Sequence, residues 1–216
     1  MYWGEFFTIS LAHFFAVASP GPDFVMVFRQ SIQGGTRAGM WASLGVSLGI
    51  VLHVSYCILG VALLLSRWPL FFIIMKYTAA SYLFFIGLQS IRNASLAVPD
   101  EMETSEAASD FRRVIISGFL TNGLNPKATL FFLALFAVVI GEQTPIHVQI
   151  MYGVYLVVAT FLWFALLSKL IGVRSIRSRF LKSGHWFERG MGVILIFLAL
   201  QLVLDFDLVR SSLLPG

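Results

Sequence analysis

Six apolar stretches follow one another along the chain, at 5–31, 38–65, 69–91, 112–140, 146–171 and 187–206. Each reaches the length of about 20 residues that an α-helix needs to cross a bilayer. The runs Ile58 to Leu65 and Leu156 to Leu167 are apolar on every side. The alternation of apolar and polar positions over about ten residues that marks a membrane β-barrel is missing. The pattern predicts an all-α, polytopic membrane protein with six transmembrane helices and short loops, in one transmembrane domain over 1–216. Composition agrees: 58% of residues are hydrophobic and only 12% charged, with a mean hydropathy of +0.84. A water-soluble fold of 216 residues has too little interior to hide so much apolar surface.

Two of the six stretches are interrupted. Ser19-Pro20-Gly21-Pro22-Asp23 breaks the first and Asn122-Gly123-Leu124-Asn125-Pro126-Lys127 breaks the fourth, both near the middle of the membrane. Helix breakers beside opposite charges at matching depth suit a transporter's centre, where half-helix ends and unwound backbone bind ions and polar solutes. Asn125 in front of Pro126 is a strong helix start, because the amide oxygen caps a free backbone N–H and proline has none to satisfy. Lys127 then falls in the first turn, where the helix dipole disfavours a cation and the membrane adds at least about 2.5–3.5 kcal/mol. It requires a counter-charge. Pro22 takes the same role in the first break and places Asp23 in a first turn, which favours an anion. The expectation is an ion pair between Asp23 and Lys127, with Asp23 the one acid away from helix ends and loops. Ser19, Gly21, Asn122 and Asn125 join them as candidate substrate- and ion-binding residues, with free carbonyls around Ala18 to Gly21.

Trp41, Gly45, Gly49 and His53 recur every four residues and Gly60 follows, giving the second helix a smooth face for close approach of another helix. His53 on that face is a further candidate for binding or proton relay, since an intramembrane histidine needs a partner. His13 has a weaker case. No third ligand accompanies the two histidines, so no metal site is expected. Cys57, the single cysteine, excludes a disulfide framework and a thiolate cluster.

Basic residues set the orientation. Arg29, Arg37, Arg92, Arg112, Arg113, Lys169, Arg174, Arg177, Arg179, Lys182 and Arg189 fall on one side of the six spans, and only Arg67, Lys76 and Arg210 on the other. The positive-inside rule then puts both termini outside the cytoplasm. The net charge of +4 is a topology signal, and no nucleic acid is implied. Ala16-Val17-Ala18 resembles a signal-peptide cleavage site, yet no basic residue precedes it and Glu5 stands where the positive region belongs, so 5–31 is taken as a membrane helix. The segment 92–111, with Asp100, Glu101, Glu103, Glu106 and Asp110 among Ala, Ser and Thr, reads as a solvated linker. It divides the chain into halves of three helices, about 5–91 and 112–206. An odd number of helices per half makes a duplicated second half upside down, so the two breaks predict inverted repeats with broken helices 1 and 4.

With these residues the chain resembles the LysE/RhtB superfamily of bacterial amino-acid exporters. The resemblance rests on Ser19-Pro20-Gly21-Pro22-Asp23, Arg29, Arg37-Ala38-Gly39, Gly45, Gly49, Lys76, Tyr82-Leu83, Gly87, Asn125-Pro126-Lys127-Ala128 and Phe131-Phe132. It covers nearly the whole length. Ala79-Ala80 and Ala134-Leu135-Phe136 depart from the family pattern, which places a glycine after the helix-3 lysine and a Pro-Gln-Phe late in helix 4. The resemblance implies six helices in the bacterial inner membrane and efflux of amino acids driven by an ion gradient.

Together these readings predict a secondary active exporter of amino acids or related small zwitterions, working by proton antiport. Its partners are the amino acid, protons or another cation, and membrane lipid; self-association into a homo-oligomer is left open. The alternatives are an integral membrane enzyme, for which no reactive dyad or metal cluster is found, and a passive channel, which broken helices and one opposite-sign pair suit less well. No enzymatic activity and no cofactor are expected.

Overall fold

The structure, a computed structural model, describes residues 2–67, 69–92, 110–140, 144–171 and 174–213. These residues are helical almost throughout: α1 (Trp3–Ala18), α2 (Pro22–Gln33), α3 (Gly35–Arg67), α4 (Pro69–Arg92), α5 (Phe111–Gly123), α6 (Pro126–Val138), α7 (Ile146–Ile171) and α8 (Arg174–Leu213). All six expected stretches are recovered as helix, the first as α1 and α2 and the fourth as α5 and α6. The acidic part of the expected linker, 93–109, lies outside the described residues. Among the described residues, three helices are long and apolar enough to cross a membrane alone, over Gly35–Gly60, Ile146–Ile171 and His185–Leu204, and α1 with α2 makes a fourth candidate span, bent by 53°. At 13 residues each, α5 and α6 are about 20 Å long, short of the roughly 30 Å hydrocarbon core unless they cross end to end.

The breaks follow from proline chemistry. A residue before proline is pushed out of the helical region by the ring. Ser19 before Pro20 (ψ 129°), Gly21 before Pro22 (φ −152°, ψ −171°) and Asn125 before Pro126 (ψ 110°) are all extended. Pro22 and Pro126 occupy the first helical turns of α2 and α6, where the missing N–H leaves nothing unsatisfied. The Asn125 side chain accepts from the Lys127 backbone N–H at 3.0 Å, closing the cap that the sequence predicts.

Small residues set the packing around the breaks. Trp41 packs on Phe111 at 5.5 Å between ring centroids. A Cβ on Gly49 would lie 2.5 Å from Asn122 Oδ1, and one on Gly118 would lie 2.6 Å from the Ala42 carbonyl. The expected face of α3 therefore receives α5 along Trp41, Gly45, Gly49 and His53, whereas Gly60 has nothing against it among the described residues. On the far side, Gly87 of α4 and Gly192 of α8 face each other across a second close crossing. A core including Ile9, Leu83, Leu135, Leu156 and Leu195 fills the space between α1, α4, α6, α7 and α8. Leu11, Leu59, Phe85, Val154 and Leu162 expose large apolar side chains on the outer surface, as lipid-facing positions do. The arrangement is that of a helical, polytopic membrane protein.

Candidate functional site: a charged centre between two helix breaks

Between the two breaks lies a cavity of about 50 Å³, lined by Ser19, Asp23, Asn122, Asn125, Lys127 and His13 together with apolar side chains. It has room for roughly three to five waters at about 10–15 Å³ each. Residues about 100 positions apart in sequence thus meet because each break stops its helix at the same place in the fold. The candidates Gly21, Pro22 and Pro126 also surround this point: Gly21 and Pro22 line the cavity, and Pro126 opens α6.

Asp23 sits in the first turn of α2, as expected. Its Oδ2 accepts from Asn122 Nδ2 at 2.9 Å, across the two breaks. The remaining oxygens of this pair, Asp23 Oδ1 and Asn122 Oδ1, are buried with no hydrogen-bond partner. A buried acceptor without a donor costs roughly 1–3 kcal/mol, and the Asn122 oxygen is packed against Gly49 of α3. Gly49 makes the arrangement fit, since the Asn122 side chain occupies the space that any larger residue at 49 would fill.

Lys127 does not pair with Asp23. Its Nζ lies 3.5 Å from Glu188 Oε1 and donates to Ser19 Oγ at 3.2 Å. Ser19 Oγ in turn donates to Glu188 Oε2 at 2.7 Å, and Ser90 Oγ donates to Glu188 Oε1 at 2.8 Å. The cation at the unfavourable end of α6 therefore finds its counter-charge on α8, and Asp23 is not the one acid inside the bundle. Glu188 escapes a sequence reading because it stands beside Arg189 at the edge of an apolar run, where it resembles an interfacial residue. The helix starts fourteen positions earlier, at Arg174, which carries Glu188 into the packed region. Ser90, beside Gln89 and close to Arg92 at the end of α4, has no distinguishing signal at all.

His53 is fully buried but lies behind the cavity rather than on it. Its Nε2 is 3.0 Å from the Asn122 carbonyl and its Nδ1 is 2.6 Å from the Tyr56 hydroxyl. A carbonyl only accepts, so Nε2 carries the proton and the neutral ring accepts from Tyr56 at Nδ1. Stacked on Phe132 at 5.4 Å, the ring holds the end of α5 in place. His13, the weaker candidate, does line the cavity, with Nε2 2.9 Å from Thr160 Oγ1.

The profile for the LysE type translocator family matches residues 14–206, a span that takes in both breaks, Glu188 and every cavity residue except His13. The chain belongs to this family. Among its relatives, the threonine efflux protein of Salmonella typhimurium is 24% identical over 207 residues, covering 93% of this chain and 98% of the relative. The threonine efflux protein of Escherichia coli is 23% identical over the same coverage. An uncharacterized membrane protein of Pseudomonas aeruginosa is 35% identical over 134 residues, 61% of this chain and 62% of the relative. No solved structure matches the chain.

Proposed function

We propose that this LysE-type translocator is a secondary active exporter of amino acids or related small zwitterions, working by proton antiport through the cavity between its two breaks. The observation that carries the reading is a single cavity lined by both an acid, Asp23, and a cation, Lys127. A zwitterion matches both. Its ammonium donates to the Asp23 carboxylate, and its carboxylate accepts from Lys127 Nζ and from the half-helix N-terminus. The names of the threonine efflux relatives support the same substrate class.

Asp23 supplies the coupling. Substrate ammonium and a proton compete for one carboxylate, so a proton arriving from outside displaces the substrate and the ionised carboxylate is recovered on the cytoplasmic side. Each elementary charge carried through the membrane potential supplies about 2.3 kcal/mol per 100 mV. Growth of bacteria on toxic amounts of single amino acids tests the substrate class. Overexpression should raise tolerance to at least one amino acid, threonine being the first to try, and Asp23→Asn should not. Unchanged tolerance across a full set of amino acids and analogues contradicts the reading.

The proposal extends to topology: six spans in the bacterial inner membrane, built as inverted halves of about 5–91 and 112–206, with α1–α2 corresponding to α5–α6, α3 to α7 and α4 to α8. The skewed distribution of Lys and Arg supports termini outside the cytoplasm. Cysteines placed at Gly4 and Ser212 should react with an impermeant thiol reagent in intact cells, and one at Ser105 should be protected. Cys57 is buried and gives little background. Labelling at 105 with both ends protected reverses the orientation.

A further inference from the structure

The group around Lys127 and Glu188 joins four segments. Ser19 belongs to the first break, Ser90 to α4, Glu188 to α8 and Lys127 itself to the second break. The hydroxyl contacts to Glu188 are short, at 2.7 and 2.8 Å, whereas the ammonium stands off at 3.5 Å. Both hydroxyl contacts have the usual length of a well-formed O–H···O hydrogen bond. Glu188 thus has two hydroxyl donors besides Lys127, and the ammonium is its most distant partner. Lys127 lines the cavity, while Glu188 is absent from its lining. The ammonium thus stands between a carboxylate behind it and an opening in front of it.

We propose that Glu188 is the resident counter-ion of Lys127, keeping the ammonium paired while the cavity lacks substrate and releasing it to the substrate's carboxylate when one arrives. This inference rests on the zwitterion-exporter reading and adds a positioning residue with a rule of specificity. An amine without a carboxylate leaves the Lys127–Glu188 pair in place and is not carried. A solute with both groups exchanges one ion pair for another, and Glu188 keeps its two serine donors throughout. No net charge is created inside the bundle by the exchange. Because Lys127 also donates to Ser19 of the first break, its movement toward substrate loosens that contact between the two halves of the chain.

Two consequences differ from those of a merely structural glutamate. Removing the competing carboxylate should strengthen substrate binding, so Glu188→Gln should lower the half-saturating threonine concentration in proteoliposomes. The expected factor is roughly 5- to 150-fold, the usual size of coupling between linked equilibria. Its maximal rate should fall at the same time, because substrate leaves more slowly. In the wild type, threonine should be carried and threonine amide should not.

The test that uses no amino acid is rescue by acetate of purified protein in detergent, with sodium chloride as the ionic control. Acetate should raise the thermal midpoint of Glu188→Ala saturably, by taking the vacated place beside Lys127, and should do so in neither the wild type nor the Glu188→Ala/Lys127→Met double variant. Equal shifts in all three proteins overturn the proposal. If Glu188→Ala does not fold even in acetate, the kinetic comparison decides: an unchanged half-saturating concentration in Glu188→Gln, or export of the amide as fast as of threonine, also overturns it. Specific acetate rescue together with wild-type proteoliposomes that move no amino acid removes the exporter reading and leaves the Lys127–Glu188 assignment standing.

Discussion

Proteoliposomes carrying Asp23→Asn are expected to exchange amino acid across the membrane yet to ignore an imposed pH gradient. Asparagine keeps the shape of the side chain and can still accept from Asn122 Nδ2, so the contact at 2.9 Å that joins the two breaks survives. The charge that holds the substrate ammonium and the group that carries the proton are both lost. Truncating one partner of a buried, hydrogen-bonded charge pair costs about 2–5 kcal/mol, or on the order of 30- to 4,000-fold in affinity. Net efflux at low substrate should fall by that order, and exchange should return only at high substrate concentration on both sides. Isotope exchange and gradient-driven flux, measured on the same vesicles with and without a pH difference, separate the two losses. A variant that pumps at the wild-type rate with unchanged pH dependence reduces the first break to a structural feature.

Lys127→Met should abolish export and destabilise the fold, and the compensating change lies on α8 rather than on α2. Removing one member of a buried pair costs about 3–5 kcal/mol when the other is left without compensation. The cost here is expected to be smaller, since Ser19 and Ser90 still donate to Glu188. Adding Glu188→Gln to Lys127→Met should restore most of the thermal stability without restoring export, whereas adding Asp23→Asn should restore little. Midpoints of unfolding in detergent for the single and double variants check the order. Recovery by Asp23→Asn alone would return the ion pair to the partner that chain pattern suggests and would contradict the geometry around Glu188.

That difference shows what the chain pattern conveys. The breaks are legible because proline acts on its own neighbours: Ser19, Gly21 and Asn125 are extended for a local reason, and Asn125 caps its own helix. The face of α3 is legible because helical periodicity lines up Gly45, Gly49 and His53 whatever packs there. Partnership across helices is another matter. Lys127 demands a counter-charge, but whether Asp23 or Glu188 supplies it depends on which helix lies beside the second break, and that is settled by close crossings such as Gly87 against Gly192. The role of Ser90 is hidden for the same reason, as is the place of His53, whose ring supports the Asn122 carbonyl instead of facing the cavity. Local chemistry is written locally; the pairing of charges is written in the packing of the whole bundle.

The most direct measurement of the central claim is uphill transport by the purified protein. Proteoliposomes containing equal threonine inside and out, with an acidic medium on the side that faces the cell exterior, should move threonine toward that side until the two concentrations differ, while protons move the other way. The account predicts this accumulation for the wild type and its absence for Lys127→Met. Threonine and its analogues that stay level in the wild type under the same gradient, with the protein folded and correctly inserted, would contradict it.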